Sequence, residues 1–114
     1  MTAGMRTIIY PVADLEAAKS LYGELFSVEP YMNETYYVGY NVADQNIGLD
    51  PNGHNKGMTG PTGYWHVDDI EAALDGLIAR GATKVQDITD VGGGKLIATA
   101  NDPDGNVIGL LQAP

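Results

Sequence analysis

The chain of 114 residues has no cysteine, one tryptophan, one phenylalanine and only six lysine plus arginine residues. Without a thiol there is no disulfide, no thiolate nucleophile and no cysteine-type zinc site. Few cations against 15 acidic residues leave a formal net charge of -9. Such a charge repels phosphate backbones and anionic lipid, and no basic cluster offsets it, so neither nucleic acid nor a membrane surface is expected as a partner. No apolar run approaches the roughly 20 residues needed to cross a bilayer. The start, Met1-Thr-Ala-Gly-Met5-Arg6, lacks the apolar core of a secretion signal, so a cytoplasmic location is expected. No HExxH motif or Ser-His-Asp arrangement is found, and Gly92-Gly93-Gly94 lacks the strand-to-helix context of a phosphate loop.

What the chain does have is one pattern written twice. Val12-Ala-Asp14-Leu15-Glu16-Ala17-Ala18 recurs as Val67-Asp68-Asp69-Ile70-Glu71-Ala72-Ala73, and Asn46-Ile47-Gly48-Leu49 is echoed by Val107-Ile108-Gly109-Leu110. The order is the same both times: a strand end, a helix start, then an apolar strand. The chain therefore reads as two copies of one supersecondary unit. The capping Asp residues are 55 positions apart and the paired glycines 61, a difference that a longer glycine-containing loop in the second copy absorbs.

In the first copy, residues 6–12 read as a strand closed by Pro11, and Asp14 caps a helix over residues 15–26 whose apolar positions follow the i, i+3, i+4, i+7 spacing. Thr35 to Val42 and Asn46 to Leu49 read as further strands, with another possible at 31–35, and the stretch 50–63, rich in Pro, Gly and Asn, joins the copies. In the second copy a strand over 62–67 precedes a helix capped by Asp69 and ended by Gly81. Strands over 85–91 and 95–101 flank the three glycines, Asp102-Pro103-Asp104-Gly105 forms a turn, and a last strand follows from Asn106. The length fits one domain, 1–114, made of modules over about 5–50 and 62–113. A chain this small gains from pairing with a second copy, so a homodimer is expected.

The repeated Val-x-Asp-Leu/Ile-Glu-Ala-Ala segment and the Asp102-Pro103-Asp104-Gly105-Asn106 turn before the last strand resemble the vicinal oxygen chelate superfamily. That group includes glyoxalase I, bleomycin-resistance proteins, fosfomycin-modifying enzymes and extradiol dioxygenases. The resemblance spans nearly the whole chain. It implies an α+β fold of paired β-α-β-β-β modules forming a curled, cup-shaped mixed sheet, with helices on the outer face and the ligand site inside. In metal-dependent members the cation sits on a His or Gln seven positions before each capping Asp and on a Glu in the last strand of each module. Carried onto this chain, those positions are Thr7, Thr62, Gly48 and Gly109. A divalent ion needs several imidazole or carboxylate donors at about 2 Å, which a threonine hydroxyl supplies weakly and a glycine not at all. The expectation is a member without metal or other cofactor. The two glycines either widen the floor of the cup or admit close packing of another strand or subunit.

Strand alternation then names a lining. From the four metal positions it takes Ile9, Tyr64, His66, Asn46, Asp50, Val107 and Leu111, while Ile8, Trp65, Val67, Ile47, Leu49, Ile108 and Leu110 pack beneath the helices. With Thr7, Gly48, Thr62, Gly109 and Tyr37 this makes the candidate ligand site. His66 can move a proton near neutral pH or stand as a hydrogen-bonded wall residue. Tyr64 can stack on a ligand or be an ordinary strand residue, and Asp50 can act as a ligand or base or merely form a turn beside Pro51. Tyr36, Tyr37 and Tyr40 put aromatic surface on both faces of one strand, suiting a flat ligand or a dimer interface. His54 lies in the joining loop and reads as solvated. Two functions follow: a metal-free cup that sequesters or carries a small hydrophobic or aromatic molecule, or a lyase or isomerase in which His66 is general base and Tyr64 or Asn46 steadies an oxyanion. A metal enzyme with a non-standard site built on His66 and Asp50 is the remaining possibility.

Overall fold

A computed structural model describes residues 2–114, in which eight strands and two helices give an α+β protein. The order is β1 (Thr2–Pro11), α1 (Leu15–Phe26), β2 (Met32–Glu34), β3 (Tyr37–Val42), β4 (Gln45–Asp50), β5 (Thr62–Val67), α2 (Ile70–Ala79), β6 (Thr83–Asp90), β7 (Leu96–Asn101) and β8 (Val107–Gln112). The chain divides into two compact units: Thr7–Thr62, and Gly63–Pro114 together with residues 2–6.

The first unit orders its strands β2-β3-β4-β1, with β1 parallel to β4 and the other neighbours antiparallel. In the second unit β6-β7-β8-β5 repeats this arrangement, β5 again parallel to its last strand β8. Register repeats as well: Ile9 lies opposite Gly48, and Tyr64 opposite Gly109. The two copies read from the sequence are thus two copies of one β-α-β-β-β module. In the second unit, residues 2–6 lie beside β5, where the Thr2 hydroxyl donates to the His66 carbonyl at 2.8 Å.

The helices begin alike because their caps are alike. Asp14 accepts from the Ala17 amide at 3.1 Å and Asp69 from the Ala72 amide at 3.0 Å, each satisfying an orphan donor of the first turn. α1 stops at Ser27, held at φ 56°, whereas α2 ends through Gly81 at φ +112°, with Gly81 and Ala82 amides returning to the Ile78 and Leu77 carbonyls.

Each unit buries one face of its sheet against its own helix. In the first, Val38, Tyr40, Ile47 and Leu49 pack with Ala18, and Ile8, Tyr10, Val12, Leu15, Tyr22 and Phe26 close around them. Aromatic rings dominate: Tyr10 and Tyr22 stand 5.0 Å apart, Tyr22 and Phe26 5.8 Å, Phe26 and Tyr40 5.2 Å. The second core is aliphatic, with Ile70 and Leu74 of the helix on Ala98, Ala100 and Leu110. The predicted division of faces therefore holds on the helix side for Ile8, Ile47, Leu49, Val67, Ile108 and Leu110.

Some boundaries differ. β1 starts at Thr2, and Thr35 and Tyr36 form the turn before β3, leaving Tyr36 exposed and off the strand. Tyr40 is a core residue, so the tyrosines do not offer aromatic surface on both faces. The joining segment holds one turn of 3-10 helix at His54–Lys56.

Gly76 sits in α2 with open space around any added Cβ, so Gly76→Ala should raise the unfolding free energy in urea by about 0.5–1 kcal/mol through helix propensity alone. Gly109→Ala should lower it by about 1–3 kcal/mol, because its Cβ would meet the Gly63 carbonyl oxygen at 2.6 Å.

Candidate functional site

The candidate residues fall on the sheet faces turned away from the helices. In the first unit Thr7, Ile9, Asn46, Gly48, Asp50 and Tyr37 alternate with the helix-packed residues of β1, β4 and β3. In the second, Tyr64 and His66 follow Thr62 along β5 and lie opposite Gly109 and Leu111 of β8, while Val107 is half exposed at the strand's start.

At the four positions that hold the cation in metal-dependent members, the donor chemistry does not fit a metal. Thr7 and Thr62 are buried hydroxyls, and Gly48 and Gly109 have no side chain. Nor is the glycine space open. A Cβ on Gly48 would land on the Tyr37 hydroxyl, and a Cβ on Gly109 would meet the Tyr64 ring at 2.7 Å. Tyr31 covers Gly39 in the same way. The expected widening of the floor is thus replaced by close packing: each of these glycines lets a tyrosine side chain approach the backbone closely.

Asp50 is a turn former. One carboxylate oxygen accepts from the Asn52 amide at 2.8 Å and the other pairs with Lys56 Nζ at 2.9 Å, while its carbonyl receives the Val12 and Gly53 amides. A carboxylate so engaged anchors the joining segment and is poorly placed to take a substrate proton. Asn46 is also occupied: its amide donates to the Tyr31 hydroxyl at 2.9 Å and to Asn41 Oδ1 at 3.4 Å.

His66 is half-buried, and burial first, then the positive charges of Arg6 and Lys95, push its pKa below the ordinary 6.5. Its imidazole is therefore neutral at physiological pH and able to accept a proton. Among the described residues no three His, Cys, Asp or Glu side chains gather as a metal site would require.

One feature escaped the sequence reading. Trp65, expected beneath the helix, is on that side but 38 % exposed, and with Val67, Ala73, Leu77, Ile108 and Leu110 it lines an apolar groove of about 410 Å³. By the repeat, Trp65 and Leu77 stand where the first unit has Tyr10 and Tyr22, whose rings face each other. Replacing the helix tyrosine by leucine leaves the tryptophan without a facing ring. The substitution is visible in the sequence once the two copies are aligned.

Comparison with known proteins agrees with this architecture. The sequence model of the Glyoxalase/Bleomycin resistance protein/Dioxygenase superfamily matches residues 4–110. No curated protein sequence matches the chain. Among solved structures, methylmalonyl-CoA epimerase from Mycobacterium tuberculosis is 20% identical with a TM-score of 0.72, over 99% of this chain and 90% of that one. A glyoxalase/bleomycin resistance protein/dioxygenase superfamily member from Vibrio splendidus 12B01 is 14% identical with a TM-score of 0.71, over 99% and 100%. An NAD-dependent benzaldehyde dehydrogenase from Legionella pneumophila is 12% identical with a TM-score of 0.75, over 95% and 98%. At these identities the likeness is one of fold.

The depressed pKa of His66 links protonation to folding. The unfolded chain takes up the proton first, so the stability held at and above pH 6.5 should fall as pH drops below that value. Urea midpoints measured between about pH 8 and about pH 5 should show this decline, and His66→Gln should flatten the part that lies just below pH 6.5.

Proposed function

The chain belongs to the glyoxalase/bleomycin resistance protein/dioxygenase superfamily, and within it we propose that this member binds a small hydrophobic or aromatic molecule without using a metal ion. The observation that carries this reading is the set Thr7, Gly48, Thr62 and Gly109, with tyrosine rings laid over both glycines. Taken one by one, these positions offer a hydroxyl or no side chain at all, never an imidazole or carboxylate, and a side chain at Gly109 would run into the Gly63 carbonyl. Binding needs none of these donors. It needs apolar surface with a few polar groups, and a volume of several hundred Å³.

The apolar groove at Trp65 supports the choice of ligand. It is of that size, its lining carries no charge, and its tryptophan lacks the ring partner present in the sister unit. A flat apolar molecule seated there would take the place that Tyr22 occupies beside Tyr10. We also propose that the chain forms a homodimer.

A second reading is favoured by His66. A neutral imidazole on the sheet face that also carries Tyr64 can abstract a proton next to a carbonyl, and the phenol can steady the oxyanion that forms, which is the chemistry of an isomerase or lyase. In this reading His66→Gln abolishes turnover but leaves ligand affinity intact.

Native mass spectrometry with elemental analysis of the purified protein should report no stoichiometric Zn, Ni, Fe or Mn. Because Trp65 is the chain's one tryptophan, titration with 2-naphthol should change its fluorescence saturably. Bound metal at one equivalent, or a fluorescence signal that never saturates, would count against the binding reading. Conversion of bound ligand to product, lost in His66→Gln, would move the assignment to the enzyme.

A further inference from the structure

The first unit has a cleft of its own, of about 440 Å³, between α1 and the segment leading into β2. Glu16, Lys19, Ser20 and Gly23 line it from the helix, Glu29 lines it from the segment, and Tyr40 reaches it from β3. None of these residues belongs to the sheet faces turned away from the helices or to the apolar groove at Trp65.

Tyr40 is the informative member. It is 2 % exposed, its ring lies edge-on to Phe26, and its hydroxyl comes to the cleft at Gly23, 3.7 Å from where a Cβ on that glycine would stand. No side chain or carbonyl among the described residues bonds that hydroxyl, and its oxygen is not among the buried unpartnered atoms, so it opens to the cleft. Burial raises its pKa, Lys19 opposing and Glu29 adding to the shift, so both charges act on the oxygen and the phenol stays protonated at neutral pH. It can therefore both donate and accept.

The charges around it set the class of ligand. Lys19 is already engaged, with its ammonium 2.8 Å from Glu16 and 3.2 Å from Asn33 Oδ1. Glu29 forms no ion pair among the described residues. One lysine balanced by one glutamate leaves Glu29 as an uncompensated carboxylate at the rim, in a chain whose net charge is -9. With the Lys19 charge engaged by Glu16, a cation on the Glu29 side of the cleft meets a carboxylate and two hydroxyl oxygens, those of Tyr40 and Ser20.

We propose that this cleft binds a small organic cation, a protonated amine whose ammonium pairs with Glu29 and donates a hydrogen bond to the Tyr40 hydroxyl where it opens to the cleft. Val28 and Pro30 supply the apolar wall for the carbon skeleton. The absence of a side chain at Gly23 keeps the path to the hydroxyl open. This site is separate from the function proposed above and stands if that reading fails.

The test is a titration of the full chain with benzylamine hydrochloride, with benzyl alcohol as the uncharged counterpart, followed by amide chemical shifts in two-dimensional NMR. Benzylamine should shift the amides of residues 16–33 and of Tyr40 saturably, without altering Trp65 fluorescence, and benzyl alcohol should shift neither. Tyr40→Phe keeps the ring against Phe26 and removes only the hydroxyl, and Glu29→Gln changes an exposed side chain that no fold contact requires. Each should weaken benzylamine about fivefold or more. Undiminished affinity in both variants, equal affinity for benzyl alcohol, or shifts confined to other residues would overturn the proposal. Unchanged melting of both variants shows that a loss of affinity is a loss of recognition.

Discussion

The rest of this structure depends on the contact between a glycine in the last strand of each unit and a tyrosine ring from the strand beside it. A glycine inside a strand is a weakness, since it packs nothing and leaves backbone uncovered. Tyr37 over Gly48 and Tyr64 over Gly109 remove that weakness by covering the bare backbone with a ring. The same contact fills the space that a side chain at position 48 or 109 would need.

The two units solve the same packing problem with different residues. A chain of rings from Tyr10 through Tyr22 and Phe26 to Tyr40 fills the space under α1, whereas under α2 branched aliphatic side chains and alanines do so. Aromatic pairs add about 0.5–1.5 kcal/mol each beyond the area they bury, so the first unit holds its helix by directional contacts. The aliphatic unit leaves Trp65 without a facing ring, and the open surface follows from that exchange. Shared topology thus yields unlike surfaces, one groove apolar and the other cleft polar.

Much of the fold was legible because its signals are local. Asp14 and Asp69 each announce a helix by the same cap, the apolar spacing carries α1 to Phe26 as expected, and the repeated segments disclose the duplicated module. The three-residue β2 was harder, since a strand that short has almost no alternation to read. The site was less legible because its contacts join residues far apart in the chain. Tyr64 meets Gly109 only once β5 is known to pair in parallel with β8, and Tyr37 meets Gly48 only once Gly39 is set opposite that residue. Asp50 had both meanings open in the sequence, and only the fold shows that Lys56, six residues on, brings its ammonium to 2.9 Å from the carboxylate.

The ring-over-glycine contact also makes positions 48 and 109 interdependent with positions 37 and 64. A glutamate at 48 collides with the Tyr37 hydroxyl, and shortening Tyr37 alone leaves a hole above a glycine. Each single change either displaces a ring or leaves a hole, and the paired change restores a filled site. In sequence space a carboxylate arrangement therefore lies two coupled steps away in each unit, with a less stable protein between them. Such a valley lets the two halves drift in their outer surfaces while their inner pairs stay fixed, a form of epistasis that a table of single substitutions would record as four unrelated intolerant positions.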